Sequence, residues 1–123
     1  MKMTQLQLDE VRLPNDHQPA PGSIEAILPH GAENAISARD LTRISGCRDT
    51  RELRHRVAAE RSRGALILSL PTVGYFLPDA GRKGQMEMRA FVGSMRSRAF
   101  RTLGATTAAQ KFLDEGGLYD VEG

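Results

Sequence analysis

Two helix-start signatures separated by a glycine turn limit most strongly what this chain can fold into. Ser37 precedes Asp40 by three residues and Asp49 precedes Glu52 by three residues, so each pair joins a helix-capping side chain to an acid in the first turn. The letters SGC at residues 45–47 interrupt the sequence between the pairs. This pattern predicts two helices joined by a tight turn.

The second of these helices is predicted to run over residues 50–62 with a basic outer side. Leu53 and Val57 are spaced for one buried stripe, while arginines and a histidine occupy the remaining circumference. Gly64 can adopt the left-handed conformation that commonly ends a helix. The helix is therefore predicted to present cations to the outside of the fold.

Two short apolar runs after this helix predict a β-hairpin. The first is ALILSL at residues 65–70, the second is YFL at residues 75–77, and PTVG turns the chain between them. Ser23 caps a further short helix, and Ile36 is positioned to add a short strand. The predicted order is helix, strand, helix, turn, helix, hairpin, which is a mainly α fold with a small β-hairpin (α+β).

Apolar periodicity predicts one or two further helices within residues 85–115. Apolar side chains recur every three or four positions over residues 85–103, Gly104 is predicted to end that helix, and residues 105–113 are predicted to form another. The apolar stripe either packs on the preceding domain or forms a homodimer contact through residues 85–103. Of these two possibilities, we favour the homodimer.

The predicted organisation is a flexible arm at residues 1–22, a folded domain at 23–80, the helical extension at 85–115 and a flexible acidic tail at 116–123. Cys47 is the single cysteine and is predicted to be buried at the corner between the two helices. Eight apolar side chains are predicted to converge in one core: Leu41, Ile44, Leu53, Val57, Leu66, Leu68, Tyr75 and Leu77.

Charge is unevenly spread along the chain. The net charge is +2, but residues 39–63 hold eight arginines against four acids, and residues 82–101 hold six bases against one acid. Two basic stretches between acidic ends are expected of a protein that binds a polyanion. The alternative is a solvated, arginine-rich helix surface, and charge alone does not decide between the two.

Three segments together resemble the winged helix-turn-helix family. ISARDLTRISGC at residues 36–47 resembles the first helix and turn, and residues 50–64 resemble the recognition helix. Residues 67–78 resemble a wing similar to that of the biotin operon repressor's DNA-binding domain, with GYFL at residues 74–77 as the most specific fragment. The resemblance covers residues 23–78. It implies a double-stranded DNA-binding protein of bacterial or phage origin that acts as a transcriptional regulator.

The resemblance also implies which residues contact DNA. In this family the recognition helix enters the major groove, where arginine can donate two hydrogen bonds to guanine and threonine can meet a phosphate or a thymine methyl group. The wing tip has Pro-Thr-Val where Lys or Arg is common, which leaves contact by the wing open. The implied contacts are Arg39, Arg43, Arg48, Thr50, Arg51, Arg54, His55 and Thr72, of which Arg39 and Arg43 are expected to face phosphates.

Other functional classes have less support in the sequence. The alternative function is a winged-helix protein–protein adaptor in a phage replication or packaging assembly, with the arginines facing an acidic partner.

His17, His30 and Cys47 are too widely spaced to predict a metal site, and no cofactor is expected. The chain lacks paired carboxylates, a nucleophile motif and a glycine-rich phosphate loop, so we do not expect an enzyme. Without a signal peptide or a bilayer-length apolar run, we expect a cytoplasmic protein with no membrane partner.

Overall fold

The computed structural model describes residues 18–116, so most of the predicted arm and acidic tail lies outside the described residues. Over this range the fold is mainly helical with one two-stranded antiparallel sheet, an α+β arrangement. None of its helices is long and apolar enough to cross a membrane. The elements are α1 (Ile24–Ile27), a 3-10 turn (Ala32–Asn34), α2 (Ala38–Ser45), α3 (Thr50–Ser62), β1 (Leu68–Leu70), β2 (Gly74–Phe76) and α4 (Gly81–Asp114).

Side-chain caps begin the first three helices at the predicted positions. Each cap oxygen accepts a hydrogen bond from the amide three residues later, which satisfies a donor that the helix leaves free. The Glu52 carboxylate differs from the prediction, because it accepts from the amide of Arg48 rather than from that of the cap residue. The three caps are Ser23 to Ala26 at 3.1 Å, Ser37 to Asp40 at 3.1 Å and Asp49 to Glu52 at 2.9 Å.

The turn between α2 and α3 has the predicted geometry. Gly46 is left-handed, with φ +80° and ψ 11°, and ends α2. Cys47 follows with 8% exposure, as predicted, and its amide donates to the carbonyl of Thr42. Leu41 and Leu53, one from each helix, are fully buried in the same apolar cluster. The two helices therefore cross with their apolar sides together.

The hairpin pairs Leu68 with Phe76 and Leu70 with Gly74, as predicted for antiparallel strands in this region. Tyr75 lies in the middle, because Ile36 pairs with it on the other side through two hydrogen bonds of 2.8 and 2.9 Å. The short strand predicted at Ile36 is thus present as a single antiparallel bridge. The hairpin is joined by this bridge to the segment that enters α2.

The predicted core is largely confirmed, with two errors. Ile44 is 56% exposed because α2 turns Leu41 to the core with Ser45 beside it, leaving Ile44 off the buried side. Leu66 is 41% exposed because successive side chains of an extended segment point in opposite directions, and Ile67 takes the inward position. Tyr75 is half-buried against the core, and four predicted members are buried in it: Leu41, Leu53, Val57 and Leu77. Leu68 is also buried, but outside this cluster.

The prediction that a helix ends at Gly104 is wrong. α4 begins at Gly81, earlier than predicted, and continues without a break to Asp114. A glycine inside a helix costs about 1 kcal/mol relative to alanine, which weakens the helix without ending it. Thr106 lies inside the helix, and its hydroxyl donates to the carbonyl of Thr102 at 3.0 Å. One helix replaces the two that were predicted.

The apolar stripe of α4 is covered by its own chain only near the start of the helix. Met88 and Phe91 are half-buried where α4 lies against β1. Val92 and Met95 are 45% and 37% exposed, so the predicted covering is incomplete within one chain. Every residue from 99 to 115 is exposed. The second half of α4 therefore extends beyond the body of the fold.

A buried carboxylate holds the start of α4 against the rest of the chain. Glu87 accepts hydrogen bonds from the amides of Ala32 at 2.8 Å and Asp79 at 2.9 Å. Lys83 donates to Glu87 at 3.0 Å and also to Glu33 and Asp79. These bonds lower the pKa of Glu87 despite its burial, and they raise that of Lys83. The base of α4 is thus fixed to the 3-10 turn and to the end of the hairpin.

Candidate nucleic-acid interface

The outer side of α3 is the first surface on which predicted DNA contacts meet. Leu53 and Val57 are at most 2% exposed and anchor the opposite side of the helix in the core. Residues on the far side consequently face solvent. Three of the predicted contacts on α3 are exposed there: Arg51, Arg54 and His55.

A shallow concavity of about 400 Å³ lies at the N-terminal end of α3. It brings together Arg48, Arg51 and His55, but Asp49 and Glu52 line it as well. Glu52 Oε1 accepts from the Arg48 amide at 2.7 Å and from Arg48 Nε at 3.2 Å, and these bonds lower the pKa of Glu52. The charge of Arg48 is therefore offset locally, whereas Arg51 has no partner among the described residues.

A second concavity, of about 410 Å³, lies between α3, the hairpin and α4. It brings the predicted contacts Arg54 and Thr72 together with Arg98 from α4. Ser37 and Ser69 contribute hydroxyl groups, and no acidic residue lines it. This surface is positively charged and rich in hydrogen-bonding groups, without a neutralising carboxylate.

The two predicted phosphate contacts on α2 lie in neither concavity. Arg43 Nη2 is 3.2 Å from Asp40 Oδ1, with the two side chains 71% and 52% exposed. An exposed pair of this kind is weak, so Arg43 can exchange Asp40 for another anion at little cost. Arg39 is exposed and has no hydrogen-bonding partner in the range 18–116.

The two predicted threonine contacts differ in position. Thr50 is the first residue of α3 and is half-buried. Thr72 is exposed at the tip of the hairpin, where its φ is +63° and its hydroxyl donates to the carbonyl of Pro71. That proton is engaged, so the Thr72 hydroxyl is left as an acceptor in this conformation.

Two arginines of α3 face the fold rather than its surroundings. Arg56 Nη2 donates to the carbonyl of Gly22 at 3.0 Å, and its Nη1 is 3.5 Å from Cys47 Sγ. Arg61 donates to the Ile67 carbonyl at 2.8 Å and stacks over Phe91, 4.9 Å from the ring centroid. Both join α3 to neighbouring segments, so they reduce the basic face that the sequence predicted.

Sequence reasoning missed Arg98. The basic periodicity of α4 indicated a cationic helix, but the position of α4 relative to the hairpin depends on long-range packing that sequence does not reveal. The Phe91 stack on Arg61 and the burial of Phe76 under this part of the fold set that position. Arg98 then faces the same concavity as Arg54.

Comparison of the chain with family models, curated proteins and solved structures finds no match. Within residues 18–116, no group of three His, Cys, Asp or Glu side chains is placed to hold a metal ion. A function is therefore assigned from the exposed arginines of α3 and the two concavities beside it.

Proposed function

We propose that this chain is a winged helix-turn-helix protein that binds double-stranded DNA and regulates transcription in a bacterium or phage. In this proposal α3 is the recognition helix and the β1–β2 hairpin is the wing.

The order and pairing of the elements support the fold assignment. A winged helix-turn-helix needs two helices joined by a tight turn and a hairpin that follows the second helix. Here Gly46 forms the turn, and the hairpin follows α3 after Gly64. The bridge between Ile36 and Tyr75 ties the hairpin to the segment ahead of α2.

The observation that carries the DNA-binding proposal is the unpaired, exposed Arg51 on the outer side of α3. It has no carboxylate or carbonyl partner among the described residues, so its five N–H donors are available to a ligand. A helix with its side chains is about as wide as the major groove, and a guanidinium can bind two acceptors of guanine at once. Arg54, one turn along α3, adds positive charge beside Arg51, whereas the charge of Arg48 is offset by Glu52.

The test is binding of the full-length chain to duplex DNA, measured by fluorescence anisotropy after selection of a preferred sequence from random duplexes. Arg51→Ala is expected to cost about 1–3 kcal/mol on the selected duplex and to relax the preference at particular base pairs. Arg63→Ala is the matched control, because Arg63 is exposed at the far end of α3 and the change in net charge is identical. It should weaken binding much less and leave the sequence preference intact.

Wild-type protein that shows no salt-sensitive binding to any duplex at micromolar concentration would refute the proposal. The adaptor alternative predicts that outcome, together with arginine-dependent binding to an acidic protein. Equal losses for Arg51→Ala and Arg63→Ala would instead show that α3 does not read the groove.

A further inference from the structure

We propose that Arg54 and Arg98 form one binding site for a backbone phosphate of the bound duplex, in the concavity between α3, the hairpin and α4. This inference rests on the proposed function and adds a contact from outside the helix-turn-helix and wing.

The first step of the argument is the distribution of charge. Arg54 and Arg98 line the same concavity of about 410 Å³, and none of the residues that line it is acidic. Arg61 lies beside this concavity, because its Nη2 donates to Ser69 Oγ at 3.2 Å and Ser69 lines the concavity. Partial burial and the positive charge of Arg98 both lower the pKa of Arg61. Like charges brought together are unfavourable unless an anion joins them. The arrangement is suited to an anionic ligand.

The second step concerns the neutral hydrogen-bonding groups. Ser69 Oγ accepts from Arg61 Nη2 at 3.2 Å, which leaves its hydroxyl proton to be donated elsewhere. Two guanidinium groups and a hydroxyl supply donors from several directions, which suits a tetrahedral phosphate. Thr72 contributes no donor from its hydroxyl, because that proton is engaged by Pro71.

The third step is position. Arg54 lies one turn along α3 from Arg51, and the concavity opens beside the hairpin. When a recognition helix occupies the major groove, the strand beside that groove presents its phosphates to the adjacent wing. A phosphate is therefore the part of the duplex expected at Arg54 and Arg98. This assigns Arg54 to the backbone, unlike the sequence-based expectation that it reads bases.

The experiment measures the salt dependence of duplex binding for Arg98→Ala and for its matched control, Arg101→Ala. Arg101 is exposed on the same helix but does not line the concavity. Loss of one phosphate contact should lower the slope of log affinity against log salt by about 0.9, which is roughly fivefold in affinity at 150 mM salt. Arg98→Ala should lower the slope by this amount on all duplexes. The double variant Arg54→Ala/Arg98→Ala should lower the slope by little more than about 0.9, because both side chains bind the same phosphate.

If Arg98→Ala and Arg101→Ala have the same slope while the wild type binds DNA, this inference is wrong and the proposed function stands. If the wild type binds no duplex, the proposed function fails first. A separate arm adds inorganic phosphate without DNA and follows the thermal midpoint. If phosphate raises the thermal midpoint of the wild type but not that of Arg98→Ala, while the salt dependence of DNA binding is the same for both, the site binds a free phosphate and not a phosphate of the duplex.

A different observation carries a second inference: we infer that the exposed second half of α4 pairs with the same helix of a second copy, in antiparallel orientation. Every residue from 99 to 115 is exposed, including large apolar side chains. An isolated helical segment of this length is marginal in water, and it gains stability by burying an apolar side. The exposed apolar residues from the middle of α4 onward are Val92, Met95, Phe100, Leu103, Phe112 and Leu113.

The amount of apolar surface is that of a small, weak dimer interface. At helical spacing Phe112 falls on the opposite side of α4 from Leu103, and the other five side chains share one side. Because a large apolar side chain presents about 150–200 Å², the exposed fractions of these five sum to on the order of 450 Å² in each copy. Two copies would then bury about 900 Å², at the low end of interface sizes.

Charge selects the antiparallel orientation. At helical spacing, Arg89, Arg96 and Asp114 fall on the same flank of the apolar stripe. Parallel helices in register would leave Asp114 about 27 Å along the helix from Arg96 of the other copy. Antiparallel helices centred on Leu103 bring Asp114 of each copy near Arg96 of the other, so opposite charges lie close together.

Light scattering on the full chain tests the pairing. A dimer is expected at tens of micromolar, with Leu103→Glu raising the dissociation constant on the order of a hundredfold, because each copy withdraws one large apolar side chain. Ala108→Glu adds the same charge on the opposite side of α4 and should remain dimeric.

A cysteine pair at positions 92 and 114 should cross-link between copies, whereas Val92→Cys alone should not. A wild-type monomer would overturn the inference, and cross-linking by Val92→Cys alone would overturn the antiparallel orientation.

Discussion

Gly74 is a position at which a single methyl group should damage the fold through both its backbone conformation and its contacts. Its φ is +116°, and a Cβ built there would lie 2.5 Å from the Ile36 carbonyl oxygen and 2.8 Å from its carbon. Both atoms are backbone, so no side chain can turn away to make room. The hairpin can approach the Ile36 segment this closely only because residue 74 has no side chain.

The expected cost of Gly74→Ala follows from two contributions. A left-handed conformation costs an L-residue about 1–2 kcal/mol. Relief of the clash requires Ile36 and Tyr75 to separate, which weakens their two hydrogen bonds of 2.8 and 2.9 Å. Each such bond contributes a net stabilisation of about 1 kcal/mol. The sum is about 3–4 kcal/mol, a large fraction of the stability of a domain of this size.

Gly46→Ala separates the two contributions. Gly46 also has a positive φ, +80°, but a Cβ there would have no neighbour within 4 Å. It should cost about 1–2 kcal/mol from conformation alone. Urea denaturation followed by far-ultraviolet circular dichroism gives both free energies of unfolding. If the two variants were equally stable, the close approach of β2 to Ile36 would be refuted.

Two further predictions concern hydrogen-bonded carboxylates. Glu60→Gln should cost about 1–3 kcal/mol in urea denaturation, because Glu60 accepts from the amides of Ile24 at 2.7 Å and Glu25 at 2.9 Å, and glutamine would leave one of them unpaired. Exposed Glu115→Gln is the control, and equal stability of the two variants would contradict this role. The pKa values of Glu33, Asp79 and Glu87 are lowered by hydrogen bonds from Lys83 and from backbone amides. The stability they add is therefore present above their unfolded values, 3.8 for Asp79 and 4.5 for the two glutamates, and is lost as the pH falls through the lowered values. Lys83→Met should be less stable than the wild type at neutral pH and lose less between about pH 5 and 3 in thermal midpoints, and an unchanged acid dependence would count against the cluster.

Local signals account for the parts of the fold that the sequence predicted. A cap at Asp49, a tight turn at residues 45–47 and a hairpin turned by residues 71–74 each depend on a few neighbouring residues, and all three are present. The error at Gly104 has a different origin. An interior glycine only weakens a helix, so whether α4 continues depends on the helix-forming residues on both sides. Ile44 and Leu66 were misassigned because the direction of a side chain depends on how the whole element is rotated.

The candidate interface was harder to predict because arginine has several roles that look alike in a sequence. The basic character of residues 39–63 includes Arg56 and Arg61, whose donors bind carbonyl groups of the chain itself and therefore cannot form the paired hydrogen bonds that base reading needs. Their charge still adds to the field that attracts a polyanion. Under the proposed function, base recognition comes mainly from Arg51. One arginine gives limited discrimination, so the proposal predicts that phosphate contacts such as the one proposed at Arg98 supply much of the affinity of a single copy. It also predicts that a second copy, bound to a neighbouring half-site, supplies the remaining specificity.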